Sequence, residues 1–335
     1  MLIKIYSMQH TLLGTVEEYT SLQYSECFAA VGTLCMIAPA TEHTVSLLEC
    51  GNLIHIDAAR TYVIKYINLY TDDTGAEMIT VNALHVLSEF ARACTAQAAS
   101  YTGTASAAII TAANAADNIL DVEYTQSGVG TAAVYQIPAG NVLDAIISLC
   151  TVSDVGARCG FNPVSGKLTF TVSARNNRSA AQTQNPPVII SRQFDNVAGE
   201  SYTIDISKYK NKCIIVADET VTVDKTGGTA EYCMYKRSTL RRTNFDSDAA
   251  YTAALAAEAE ADLAMLQYYE SYDFTISGDD ACDVGDIITV SNVKYGIYLS
   301  AVISEKETII ESTGKTVNYT VGAYVPTVKQ IYGGK

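Results

Sequence analysis

The sequence has no tryptophan, only four histidines, and no C-x-x-C pair among its nine cysteines. Zinc and disulfide frameworks need cysteine or histidine at short, regular spacings, and an odd, scattered set of cysteines does not provide them. Cys35, Cys150 and Cys213 lie inside apolar runs, where a reduced thiol behaves as a small hydrophobic side chain. We therefore expect a reduced protein with no metal and no other cofactor.

Long apolar runs are also missing. No stretch of about 18 to 20 apolar residues is present, so we expect no membrane anchor. The opening "MLIKIYSMQH" alternates like a strand and lacks the basic stretch, apolar core and cleavage site of an export signal. The chain is nevertheless 48% hydrophobic and 335 residues long, which predicts several globular domains.

Positive charge is scarce. Lysine and arginine total 22 against 36 acidic residues, giving a net charge of −14, and such a surface repels phosphate backbones. The clearest exception is "YKRSTLRRT", which contains Lys236, Arg237, Arg241 and Arg242. A solvated turn or an intersubunit salt bridge explains this cluster better than a phosphate site. Tight nucleic-acid binding is therefore not expected.

Enzymatic signatures are absent or incomplete. The "STGKT" stretch lacks the first glycine of a phosphate-binding loop and lies between strands, so it does not indicate a nucleotide site. Asp73-Thr74-Gly75 is the triplet that retroviral-type aspartic proteases use for one catalytic carboxylate. Here Asp73 and Gly75 fall between two strand-like runs, where these residue types form a hairpin turn. No catalytic residue is predicted, and an aspartic-type peptidase using Asp73 stays open as an alternative.

The pattern of elements predicts a β-rich α+β protein. Short alternating runs with Gly, Asp and Asn turns fill residues 1–94 and indicate an antiparallel β-barrel domain. Residues 95–187 are rich in alanine, threonine and serine and indicate an α+β middle domain. Strands then resume over 188–243 and 272–325, which predicts a second antiparallel barrel. Residues 326–335 form a C-terminal tail.

A helical insertion is predicted over residues 244–271, inside the second barrel. From about Asp246 to Glu270, apolar residues recur at three-to-four spacing. We expect Leu255, Leu263 and Leu266 to face inward, against the middle domain or a neighbouring subunit.

The order of these elements resembles the siphophage tail-hub (tail-associated) proteins, which are relatives of the baseplate hubs of contractile-tailed phages. The stretches that carry the resemblance are "GTVEEYTSLQYSECFAAVGTLCMIAPAT", "LLECGNLIHID", "YVIKYINLYTDDTGAEMITVNALHVLSEFARA" and "DACDVGDIITVSNVKYGIYLSAVISEKETIIESTGKTVNYTVG". They cover most of the N-terminal unit and the last fifty residues. The family usually has a basic pair where "ARAC" has only Arg92, which leaves open any contact made by the second position.

The resemblance implies a structural virion protein rather than an enzyme. It implies a homotrimer of two similar tube-type barrels per subunit, forming a pseudo-hexameric ring. In the phage tail, the ring would join the tail tube or distal tail protein to a tip or fibre protein. DNA would pass through it without specific binding, and assembly would take place in the bacterial host cytoplasm. A tail-tip receptor- or carbohydrate-binding module is a further alternative.

Two phrases support an internal repeat. "DVGDIITV" reads as a barrel hairpin in which Gly285 permits the turn and Asp286 caps it. "CGNLIHI" has the same order of a glycine, Gly51, followed by a strand. Two related barrels in one chain would leave such a repeat.

Overall fold

The computed structural model describes residues 2–267, 269–277 and 282–322, so the predicted C-terminal tail, 326–335, lies outside the described residues. Its largest feature is one sheet of 14 strands, which are supplied by two blocks of the chain. The N-terminal block supplies seven of these strands and one helix: β1 (Ile3–Tyr6), β2 (Leu12–Val16), β3 (Ser21–Cys27), β4 (Thr33–Pro39), α1 (Glu42–Leu47), β5 (Leu53–His55), β6 (Thr61–Thr71) and β7 (Glu77–His85). Its apolar side chains alternate along the strands and meet in one buried core.

The middle unit follows a short 3-10 helix, Val86–Arg92, and contains two helices packed on small sheets. Its elements are β8 (Cys94–Thr95), β9 (Ala99–Thr104), α2 (Ala105–Ala113), β10 (Val122–Thr125), β11 (Ala132–Ile137), β12 (Gly140–Asn141), α3 (Val142–Ser153), β13 (Gly156–Asn162) and β14 (Lys167–Ser173). The alanine-rich faces of α2 and α3 lie in one core with Phe90, Phe161 and Phe170. Small side chains allow these helices to pack closely.

The second block supplies the other half of the long sheet. Its strands are β15 (Asn176–Asn177), β16 (Ile189–Ser191), β17 (Gly199–Asp205), β21 (Tyr269–Ser277), β22 (Asp286–Asn292), β23 (Ile297–Glu311) and β24 (Gly314–Gly322). Phe274, Ile288 and Tyr319 lie in its separate core.

A smaller unit lies between β17 and β21. It consists of β18 (Lys212–Val216), β19 (Thr220–Asp224), β20 (Cys233–Arg237) and α4 (Asp248–Met265). The three strands form their own sheet, and α4 packs on it. This differs from the expectation that residues 188–243 belong wholly to a second barrel. Strand-like alternation alone does not tell which sheet a strand joins.

Polar side chains fix where the four described α-helices begin. Each helix follows a residue whose side-chain oxygen accepts a hydrogen bond from a backbone N–H of the first turn: Thr41, Thr104, Asn141 and Ser247. Such caps satisfy donors that the helix itself cannot pair.

The β-rich prediction is confirmed, but four strand pairs are parallel, and the prediction of a wholly antiparallel second barrel was therefore wrong. The parallel pairs are β10 with β14, β15 and β16 with β22, and β18 with β20. Parallel pairing needs a long connection between the two strands. The connection between β16 and β22 is long because it contains β17, the smaller unit of β18–β20 and α4, and β21. The connection between β18 and β20 contains β19. Among the described residues, the long sheet stays open, with β2 and β17 at its ends.

The two blocks have the same strand order, namely β3-β4-β7-β6-β5 in one and β17-β21-β24-β23-β22 in the other. In each, one long strand shifts register at a bulge. The bulge lies between Ile64 and Tyr66 in β6, and between Ile303 and Glu305 in β23. A bulge bends its strand and raises the local twist. Before the bulge β6 also pairs with β5, and β23 also pairs with β22; neither of these pairs continues beyond the bulge.

Equivalent hydrogen bonds confirm this match. The Gly51 N–H donates to the Ile64 carbonyl at 2.8 Å, and the Gly285 N–H donates to the Ile303 carbonyl at 2.9 Å. Both glycines have positive φ, 93° and 88°. The two blocks are therefore structural repeats of each other.

One strand pair joins the repeats. The part of β23 beyond its bulge pairs antiparallel with β3, from Glu305 opposite Cys27 to Glu311 opposite Ser21. The equivalent part of β6, beyond its own bulge, pairs only with β7 among the described residues.

Candidate assembly and channel surface

One face of the long sheet is predominantly polar from β17 to β6. Residues that pair across two strands share a face, so the register defines the members of this surface. Its polar members include Ser201, Thr203, Asp205, Asp273, Thr275, Thr316, Asn318, Thr320, Glu305, Glu307, Glu311, Ser21, Gln23, Ser25, Cys27, Thr33, Thr80, Asn82, Tyr66 and Asn68. The same register also places the apolar side chains of Ile309 and Ile37 on this face. We call this surface the polar face; the opposite side of the same strands carries the two apolar cores.

A hydrogen-bonded ladder runs across the polar face where the blocks meet. The Glu307 carboxylate accepts from Gln23 Nε2 at 2.5 Å and from Asn318 Nδ2 at 2.8 Å. The Asn318 side-chain oxygen in turn accepts from Thr275 Oγ1 at 2.8 Å. The ladder links β3 of the N-terminal block to β23, β24 and β21 of the second block. It therefore holds the two repeats in one register.

A second row lies nearer the bulge of β23. Cys27 Sγ donates to Glu305 Oε1 at 3.8 Å, and Thr320 Oγ1 donates to Asp273 Oδ1 at 2.7 Å. Burial raises the pKa of Glu305 above its usual range. Burial and the nearby Glu305 raise the pKa of the Cys27 thiol well above its usual value, so the thiol stays neutral and can donate.

The polar face carries five carboxylates, those of Asp205, Asp273, Glu305, Glu307 and Glu311, and, among the described residues, neither lysine nor arginine. The lysines of the same strands are directed elsewhere. Lys306 is buried on the opposite side and lies 3.0 Å from Asp283. Lys65 lies in the β6 bulge, 2.6 Å from Glu89. The charged side chains of the face are therefore all acidic, and they lie on β17, β21 and β23.

The predicted turn residues Gly285 and Asp286 lie at the start of β22. The buried Asp286 carboxylate accepts hydrogen bonds from Asp283 N, Asn176 Nδ2 and Arg178 Nη1 at 3.1, 2.9 and 3.0 Å. The first of these caps the turn, and the other two attach the chain that leaves the middle unit. The roles of Asn176 and Arg178 have no signal in the sequence, because they lie more than a hundred residues from Asp286.

Asp73 lies exposed at the tip of the β6–β7 hairpin. Its neighbour Asp72 makes the turn contacts, because Asp72 Oδ1 accepts from Thr74 N at 2.8 Å and from Ala76 N at 2.9 Å. Gly75 has φ 86°. An exposed hairpin tip provides neither the burial nor the support that a proton-sharing pair of carboxylates needs.

The predicted helix residues do not all lie in one environment. Leu255 and Leu263 are buried against Cys213 and Ile215 of the small three-stranded sheet. Leu266 lies just beyond α4 and is half-buried. The buried stripe thus packs mainly on β18–β20, although α4 also contacts α3 of the middle unit.

Two residues of the basic cluster, Lys236 and Arg242, form ion pairs within the chain. Lys236 Nζ lies 2.9 Å from Glu258 and 2.6 Å from Asp262 on α4. Arg242 pairs with Asp248 at the start of the same helix. These ion pairs join α4 to β20 and to the loop between β20 and α4.

A polar cleft of about 460 Å³ lies at the far end of the second block, near Arg192, Glu200 and Tyr295. Burial opposes ionisation of Glu200, but hydrogen bonds from Tyr272, Arg192 and Asn292 hold its pKa below the usual range. The carboxylate is thus a structural acceptor. Within the described ranges, no group of His, Cys, Asp and Glu could hold a metal ion, and no helix is long and apolar enough to cross a membrane.

A sequence model of the siphovirus ReqiPepy6 Gp37-like proteins matches residues 2–323. The chain belongs to this family of siphovirus tail proteins. Curated protein sequences give no significant match.

Solved structures that share the fold include three tail proteins. The tail protein from Neisseria meningitidis MC58 is 13% identical with a TM-score of 0.60, and 96% of each chain is covered. The prophage MuSo2 43 kDa tail protein from Shewanella oneidensis is 10% identical with a TM-score of 0.58, covering 96% of this chain and 98% of that one. The prophage tail protein gp18 from Listeria monocytogenes EGD-e is 13% identical with a TM-score of 0.57, covering 99% and 98%.

Proposed function

We propose that this tail protein is the subunit of a homotrimeric hub. Three copies supply six blocks, which form a pseudo-hexameric ring of tube-type domains. The ring joins the tail tube or distal tail protein on one side to a tip or fibre protein on the other. It assembles in the bacterial host cytoplasm and acts in the virion as a channel, without turnover.

The polar face is the observation that carries this proposal. It extends across both blocks from β17 to β6, and its charged members in the described residues are all acidic. A DNA duplex binds proteins mainly through lysine and arginine contacts to phosphates, which release counterions. A surface that must let DNA slide therefore needs polar, hydrated side chains and no cations. We assign the polar face to the wall of the DNA channel.

The repeat supports the ring symmetry. Two blocks with one strand order and one bulge position can take equivalent places around an axis. A trimer of such a chain presents six similar units, so one side can match a six-fold partner. The middle unit and the α4 unit occur once per chain. They lower the symmetry to three-fold and suit the side that meets a tip.

Two measurements on the purified full-length protein test the proposal. Light scattering should give about three times the chain mass of 35.9 kDa. The variant Asn82→Lys places one cation per chain at an exposed position of the polar face. It should retain duplex DNA in a salt-dependent manner, whereas wild type does not. Val164→Lys, at a side chain that is 94% exposed in the middle unit, is the matched control and should not retain DNA.

Contrary outcomes are equally clear. A stable dimer or a persistent monomer would contradict the trimer. Equal DNA retention by the polar-face variant and the Val164→Lys control would contradict the assignment of the channel wall.

A further inference from the structure

One strand pair joins the two repeats inside the chain. Two other strand edges, one in each repeat, could form a second pair of the same kind with another copy. Inside the chain, β23 beyond its bulge pairs with β3. The repeat makes β6 equivalent to β23 and β17 equivalent to β3. Beyond its bulge, β6 has no strand on its outer side, and β17 ends the sheet, within the described residues. Unpaired edges of this kind are templates for pairing with another chain.

We propose that residues 66–71 of β6 pair antiparallel with β17 of a neighbouring copy of this chain, in the register of the β23–β3 junction. The inference rests on the proposed ring and names the contact that closes it. Each copy offers one edge of each kind, so the contact is head-to-tail and can build a closed ring. The occupant of each edge is therefore a second copy of the same chain.

The register follows from the observed pairs. Glu305 lies opposite Cys27, and Glu307 opposite Ser25. In the repeat, Tyr66 and Asn68 take the places of Glu305 and Glu307, because both sets follow a bulge and pair with the equivalent strands β7 and β24. In the repeat, β17 pairs with β21 as β3 pairs with β4. This correspondence puts Asp205 in the place of Cys27 and Thr203 in the place of Ser25. Tyr66 should therefore face Asp205 of the next copy, and Asn68 should face Thr203.

The side chains on the two strand edges are compatible with this register, although the register was derived from backbone pairing alone. On the core side of the sheet, the same alignment places Ile67 opposite Ile204 and Leu69 opposite Tyr202. In the single chain, Ile204 is 57% exposed and Leu69 is 55% exposed, which is unusual for strand residues on the apolar side. Pairing would bury both against apolar partners.

The other face gives an independent check. Tyr66, Asn68 and Tyr70 would lie beside Asp205, Thr203 and Ser201. All of these positions belong to the side that carries the polar face. The contact therefore continues the polar face from one copy to the next and adds no lysine or arginine to it.

Cysteine pairs in the full-length protein test the register. Residues directly opposite in an antiparallel pair have Cα atoms about 4.5–5.5 Å apart, within disulfide range, whereas diagonal neighbours do not. Asn68→Cys with Thr203→Cys should give covalent dimers and trimers on mild oxidation. Asn68→Cys with Asp205→Cys is the off-register control and should give few. Each single variant controls for the exposed native thiols of Cys50 and Cys94.

A charge substitution tests the same contact without cross-linking. Ile204→Lys should reduce the trimer fraction at least tenfold, since the new charge would be buried at the junction. Leu13→Lys is the matched control, because Leu13 is 44% exposed on β2, the other free end of the sheet, and should leave the trimer intact.

The outcomes separate the two proposals. A trimer that survives Ile204→Lys and gives no cross-link between positions 68 and 203 refutes the edge pairing and leaves the hub standing. Loss of the trimer in Leu13→Lys but not in Ile204→Lys assigns the contact to β2 and also refutes it. A chain that stays monomeric at every concentration contradicts both proposals.

Discussion

The α4 unit offers a sharp test of how the chain is divided. Leu255 is fully buried between α4 and the strands β18–β20, in a core separate from those of the two blocks. Replacing it by alanine removes buried methyl groups and leaves a cavity, which costs about 2–5 kcal/mol. A unit of roughly fifty residues has a free energy of unfolding of about 3–7 kcal/mol at typical values per residue. Leu255→Ala should therefore remove a large part of the free energy of unfolding of this unit and leave that of the long sheet unchanged.

Hydrogen exchange read by mass spectrometry measures this directly. A loss of about 2 kcal/mol lowers the protection of the opened amides about 30-fold. Peptides from α4 and β18 should show this loss, and peptides from β3 and β4 should not. Met265→Ala, at a side chain that is 39% exposed at the end of the same helix, should change protection only slightly. Protection lost equally from β3, β4 and α4 would refute the separate unit, and so would unchanged protection in α4.

Two further predictions concern the second block. Gly285 and Gly75 both have positive φ, but a Cβ on Gly285 would lie 2.6 Å from Phe28, whereas Gly75 has open space. Gly75→Ala should cost about 1 kcal/mol for backbone strain and Gly285→Ala clearly more, as urea denaturation would show; equal losses would disprove the steric contact. Burial raises the pKa of Glu305, so the folded protein holds its proton more readily than the unfolded chain. The ionised carboxyl therefore lowers stability once the pH exceeds the unfolded pKa, and Glu305→Gln should raise the Tm more at pH 8 than at pH 4; an equal shift at both values would contradict this.

From the sequence, the positions of helices and strands were easier to predict than which of them pair or pack together in the fold. The periodicity of α4 predicted a helix from about Asp246 to Glu270, and the observed helix runs from Asp248 to Met265. Its sheet could not be predicted, because β18–β20 alternate like any other half-buried strands. The crossover that makes β16 parallel to β22 depends on contacts across roughly a hundred residues, which local patterns do not encode.

The polar face illustrates the same limit. Gln23, Glu307 and Asn318 lie in three strands from both ends of the chain, and each looks like an ordinary solvent-side residue. Only the register shows that they form one ladder. By contrast, the glycine-then-strand phrases at Gly51 and Gly285 were visible as a repeat, because a positive φ restricts the choice of residue and leaves a local signature.

The most direct test of the hub is an electron cryomicroscopy map of the assembled full-length protein. The account predicts a three-fold ring with six similar β blocks around an open channel, in which Glu307 and Asn318 face the axis and the α4 unit lies outside the wall. A ring with the polar face turned outward, or an assembly without a central channel, would contradict it.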